Sequence, residues 1–157
     1  MAEAQSTNPN GAFGVTDVKV KHPRTAETFG NSSTTVAIAE GDLVVFDQME
    51  SATGELTVHL ADVSADDPAL IAGVAAEAIP ASSATVREYG LVIVRGLAIV
   101  NIGNGTVSEG ERMAFHASTD GAADSAAADA STIEGDTFGV CLGAVIGSTN
   151  QGAVWID

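Results

Sequence analysis

Leu91-Val-Ile-Val-Arg-Gly-Leu-Ala-Ile-Val-Asn-Ile102 is the most apolar stretch of the chain, and its reading decides the fold. Half of it is β-branched. Such side chains lose χ1 freedom in a helix and pack well on a pleated surface, so the stretch predicts strand. Arg95 and Asn101 interrupt it, and it is shorter than the ~20 apolar residues a membrane-crossing helix needs. Arg95-Gly96 in its middle predicts a tight turn or a bulge.

Shorter runs of the same kind lie on both sides. Toward the N-terminus, Ile71-Ala-Gly-Val-Ala75 reads as a buried strand, and Ala78–Glu88 as a connection. Leu56-Thr-Val-His-Leu60 alternates, which turns His59 away from Val58. Val36-Ala-Ile-Ala-Glu-Gly-Asp-Leu-Val-Val-Phe-Asp47 reads as a strand, a Glu-Gly-Asp turn and a second strand. Phe29-Gly-Asn-Ser-Ser-Thr-Thr35 reads as loop. Toward the C-terminus, Gly103-Asn-Gly-Thr106 is a turn, and Arg112-Met-Ala-Phe-His116, Gly139–Val145 and Ala153-Val-Trp-Ile-Asp157 are strands. Residues 119–132, small and acidic, are expected to form an exposed loop.

Composition agrees. Gly, Ala, Val, Thr and Ser dominate, there are two lysines, and aromatics make up 4% of the 157 residues. A core of Val, Ile, Leu and Ala with glycine corners predicts an all-β protein, a small β-barrel or β-sandwich with an extended N-terminal arm. The arm is assigned to residues 1–35 and the barrel body to 36–157. Within the arm Val15-Thr-Asp-Val-Lys-Val-Lys21 alternates, with Val18 and Val20 on one side and Lys19 and Lys21 on the other; Pro23 ends it.

The body contains a two-fold echo. Glu40-Gly-Asp-Leu-Val-Val-Phe46 matches Glu109-Gly-Glu-Arg-Met-Ala-Phe115. Ala72-Gly-Val-Ala75 matches Phe138-Gly-Val-Cys141, and Gly90-Leu-Val-Ile-Val94 matches Gly152-Ala-Val-Trp-Ile156. The three matches keep their order while the loops between them differ.

Charge and chemistry narrow the function classes. Lys19, Lys21 and Arg24 balance Glu3, Asp17 and Glu27, so the whole net charge of −15 resides in residues 36–157. Such a body repels phosphates, which argues against nucleic acid as a partner, and it favours solubility. The opening residues lack a basic segment and an apolar core, so no secretory leader is expected. The lone Cys141, in an apolar run, is expected to be a small buried hydrophobe. His22, His59 and His116 lack the spacing of a zinc helix, and Asp120, Asp124 and Asp129 lack that of a calcium loop. No Gly-x-Ser-x-Gly elbow or phosphate-binding glycine loop occurs. The expectation is a chain that is not an enzyme, holds no metal or cofactor, and does not enter a membrane.

From Val36 to Asp157 the order of these motifs resembles tailed-bacteriophage capsid decoration (cement, head-stabilising) proteins. The Glu-Gly-Asp-Leu-Val strand, the Gly-Val-Ala strand, the Gly-led apolar pair, the second Glu-Gly strand, Phe-Gly-Val-Cys-Leu-Gly143 and the terminal Val-Trp-Ile carry the likeness. The resemblance implies a small β-protein on the outer face of an icosahedral head, assembled in the host cytoplasm. It would bind the major capsid protein and neighbouring copies of itself, as a homotrimer. Phe13, Val15, Val18 and Val20 could then add a strand to a neighbouring sheet, while Lys19, Lys21 and Arg24 could pair with acids on the capsid or an adjacent copy. The alternatives are another virion component (a head fibre base or tail part) and a small β-barrel enzyme or ligand-binding domain, which would show a pocket with converging polar groups.

Overall fold

The computed structural model describes residues 24–47, 56–62, 64–67, 70–103, 107–116, 118–126, 137–143 and 150–157. Among them lie nine strands and no α-helix. The strands are β1 (Arg24–Asn31), β2 (Leu43–Phe46), β3 (Thr57–Leu60), β4 (Ile71–Ala75), β5 (Tyr89–Asn101), β6 (Arg112–Phe115), β7 (Ala123–Ser125), β8 (Gly139–Cys141) and β9 (Gln151–Ile156). No helix of the described residues is long and apolar enough to cross a membrane.

The sheet runs β1-β3-β2-β4-β5-β9-β8-β6-β7, and β1 also pairs with β5. That last pairing closes β1, β3, β2, β4 and β5 into a five-stranded barrel. β1 lies antiparallel to β5 from Arg24↔Gly96 to Gly30↔Tyr89 and parallel to β3 at Gly30↔Thr57 and Asn31↔Val58. The other four strands extend from the far half of β5, and a parallel bridge Ile102↔Ala123 brings β7 back against its end.

The two halves repeat one plan in register. Val44↔Gly73 between β2 and β4 matches Met113↔Gly139 between β6 and β8. Val74↔Ile93 matches Val140↔Trp155, and Phe46↔Val58 matches Phe115↔Ala123. Gly30↔Tyr89 matches Asn101↔Gln151. Single hydrogen bonds repeat as well: Ala75 N–H donates to Asp42 O as Cys141 N–H does to Glu111 O, and Asn31 N–H to Glu88 O as Ile102 N–H to Asn150 O. β5 therefore serves twice. Its residues 89–95 close the first unit, and residues 96–101 open the second in the role that β1 plays in the first. The three residue matches quoted above fall on equivalent strand positions.

Burial follows the repeat. Phe29, Ile38, Val44, Val58, Ala72, Ala75, Ile79 and Val92 fill the first barrel. Seven of their equivalents, Val100, Val107, Met113, Ala123, Phe138, Cys141 and Val154, belong to the second core. That core also takes in Leu43, Val45, Val74 and Ile93, which alternate with first-barrel residues along the same strands and so leave the barrel on its outer side. Part of the outside of the first unit is thus sealed by the second.

Three expectations need correction, and a fourth is met by one of its two alternatives. The barrel begins at Arg24, not Val36: residues 24–31, assigned to the arm, form a barrel strand. Phe29 and Asn31, read as loop, are buried. The amide of Asn31 donates to Val36 O (2.9 Å) and Pro80 O (3.0 Å), and its Oδ1 accepts from Ser33 N–H (2.9 Å), which meets its needs inside the barrel end. Of the turn or bulge expected at Arg95-Gly96 the structure has the bulge: β5 runs through, with a register shift opposite Thr25 and Ala26 and a positive φ of 97° at Gly96. Residues 123–125, expected in an exposed loop, form buried β7, with Asp124 7% exposed.

Candidate docking surface

Of the proposed contact residues, Phe13, Val15, Val18, Lys19, Val20 and Lys21 lie outside the described residues. Arg24 is exposed at the first position of β1, opposite Gly96.

The described part offers an apolar sheet face on the second unit. Arg112, Val140, Trp155 and Leu97 stand side by side across β6, β8, β9 and β5. Partners in register share a face, so this row is continuous. The next rung holds Ala153 and Ile99, with Leu142 joined by its N–H to Ala153 O (2.8 Å). Leu142 is 47% and Ile99 39% exposed; Leu97, Val140, Ala153 and Trp155 are half-buried. At one border the Arg112 guanidinium holds Asp157 at 2.8 Å and donates to Thr137 Oγ1. At the equivalent positions of the first unit, Leu43, Val74 and Ile93 are buried under the rest of the chain. The middle of this face is therefore covered in the first unit, while Leu91, Ala26 and Thr28, the equivalents of Ala153, Leu97 and Ile99, are exposed there as well.

A second feature is an acidic cleft of about 410 Å³ at the mouth of the first barrel, lined by Ser32, Asp47, His59, Asp62 and Asp120, among others. His59 Nε2 lies 3.0 Å from both Asp66 carboxylate oxygens. Asp66 also accepts from Asp62 N–H at 2.7 Å. Asp62 takes the Ser64 hydroxyl (2.6 Å) and N–H (2.8 Å), which hold its carboxyl below the ordinary carboxylate value. The repeat exchanges the two chemistries: Asp47 and His59 occupy the positions that His116 and Asp124 hold in the second unit, where the imidazole and carboxylate stand 3.9 Å apart. Sequence reading saw these residues only as scattered, because their pairing depends on the repeat. The hydrogen bonds of Asp66 and Asp62 tie down the turn that follows β3. Among the described residues, no group of three or more His, Cys, Asp or Glu is placed to hold a metal ion.

Comparison with protein-family models, curated proteins and solved structures found no match.

Proposed function

We propose that this chain is a structural protein that docks on the outer surface of a tailed-phage capsid and stabilises contacts between major capsid protein subunits, with copies of itself as neighbours in threefold sets. The observation that carries the reading is the bare apolar face of Leu97, Ile99, Leu142, Ala153 and Trp155 on a chain of net charge −15. Charge keeps such a body apart from its own kind in solution, while an apolar sheet face supplies adhesion wherever a complementary surface excludes water. The order of strand motifs from Val36 to Asp157 supplies the kind of partner. On a shell that presents many sites, copies that also touch one another need only modest contacts each.

The test is cosedimentation of the purified chain with expanded, empty heads assembled from the major capsid protein encoded nearest to it. Saturable binding at a stoichiometry matched to the icosahedral lattice is expected. No binding to heads would sink the proposal, and electron microscopy placing the chain on a fibre or tail would move it to another part of the virion.

A further inference from the structure

Two loops meet at one end of the first barrel: residues 32–36, which follow β1, and residues 80–88, which lead into β5. Asn31 and Ser82, both buried, bolt them together. Ser82 Oγ donates to Asn31 O (2.6 Å) and accepts from Glu88 N–H (2.9 Å), while Ser82 N–H donates to Ser33 O (2.9 Å). Each loop is also braced within itself. Ser83 Oγ accepts from Val86 N–H (2.9 Å), as Ser33 Oγ does from Val36 N–H (3.0 Å). Between the loops lies a cleft of about 300 Å³. Its walls carry Arg87 and the hydroxyls of Ser32, Thr34 and Thr85, which bond to no other described residue. The stem of Arg87 is laid across Gly30, where a Cβ would stand 2.4 Å from Arg87 Cδ and 3.2 Å from the ring of Tyr89. Arg87 Nη1 lies 3.5 Å from Asn31 O. Tyr89, 51% exposed, presents its ring beside this arm.

From this geometry we infer that the cleft binds a neutral saccharide. A hydroxyl both donates and accepts, so a wall of hydroxyls matches a ligand that itself carries hydroxyls and gives little to an apolar one. An exposed tyrosine joins an apolar ring to a polar tip, which suits the C–H face of a sugar ring bordered by its hydroxyls. Charge decides against an anion in spite of Arg87. Ser32 also lines the acidic cleft of Asp47, Asp62 and Asp120, so an anion seated here would face those carboxylates and a chain of net charge −15. Arg87 serves instead as a donor to neutral sugar oxygens. The volume is at the small end of small-molecule sites, the size of a short saccharide rather than a long chain. Because Asn31 and Ser82 already hold both loops, little further ordering is needed when a ligand enters. The cleft shares no residue with the apolar face of the second unit, so the inference does not rest on the capsid reading, and loss of head binding would leave it standing.

NMR titration of the full chain with the methyl glycosides of glucose, galactose, mannose and N-acetylglucosamine tests it, with sulfate as the anion probe. At least one glycoside should give saturable, millimolar shifts centred on the amides of residues 32–34 and 82–89. The double variant Thr34→Val, Thr85→Val replaces two exposed hydroxyls by methyl groups of similar shape, so its melting temperature should match the parent's. Its affinity for that glycoside should fall at least about tenfold, since ligand hydroxyls lose their partners. Thr35→Val, exposed but outside the cleft, should bind as the parent does. No saturable shift with any of these glycosides, or equal binding by the double variant, would overturn the inference. Saturable shifts with sulfate alone would make the cleft an anion site and overturn the neutral ligand.

Discussion

At the scale of single residues, two glycines of the second unit let steric fit be separated from backbone conformation. A Cβ at Gly139 would stand 2.4 Å from Trp155 O, with no unusual φ; one at Gly110 would meet open space, but φ there is +86°. Gly139→Ala forces two central strands apart and should cost about 2–3 kcal/mol, in the upper range for overpacking. Gly110→Ala pays only the left-handed conformation, about 1 kcal/mol. Urea unfolding of both variants should keep that order; the reverse would mean that the β8–β9 contact is looser than its register implies. Asp62 offers a test by pH. Its depressed folded pKa, caused first by the Ser64 hydroxyl, means that its contribution is present above the ordinary value of 3.8 and is lost as pH falls through the lower folded value. Ser64→Ala should move the Asp62 midpoint upward in an NMR carboxyl titration. An unmoved midpoint would remove the hydroxyl as the cause.

At the scale of elements, the apolar row on β8, β9 and β5 carries the functional reading. Leu142→Asp and Ile99→Asp each place a charge where the side chain is already over a third exposed, so the fold should survive with a melting temperature near that of the parent. Affinity for capsid heads should fall at least about tenfold, since a charge desolvated in an apolar contact is costly. Unchanged head binding with intact folding would exclude this face. Strand content was legible in the sequence because β-branched runs of the length of 91–102 have few other solutions. Two things were not, and a third was legible only as a pair of alternatives. Arg24–Asn31 has little apolar periodicity, and it is a strand because the barrel needs a fifth edge for β5 and β3. Arg95-Gly96 carries turn chemistry, yet pairing on both flanks holds β5 extended and leaves only a bulge. Ala123–Ser125 reads as a polar loop, and it is buried because β6 and Ile102 bracket it. The candidate docking face was hidden for a related reason. Leu97 and Ile99 lie far in sequence from Leu142, Ala153 and Trp155, and Val74 and Val140 look alike there, although one is sealed and the other half-exposed.

At the scale of the whole molecule, duplication suggests two independent modules, but the packing argues for one. The units share β5, so neither can unfold without breaking the pairing of the other. The second core is completed by Leu43, Val45, Val74 and Ile93 of the first unit. Separating the halves would bare those four side chains, each buried to 4% exposure or less. At roughly 1.5–3 kcal/mol for each large aliphatic side chain returned to water, the coupling comes to about 6–12 kcal/mol, as large as the whole stability of a typical domain. An equilibrium intermediate with one unit folded should therefore stay unpopulated. Calorimetry should give a single transition, with calorimetric and van't Hoff enthalpies equal. The fragment 24–96, which holds the complete five-strand ring, should aggregate or bind an apolar dye through that bared face. Two resolved transitions, or a monomeric fragment that binds no dye, would show that the units are joined only by their shared strand.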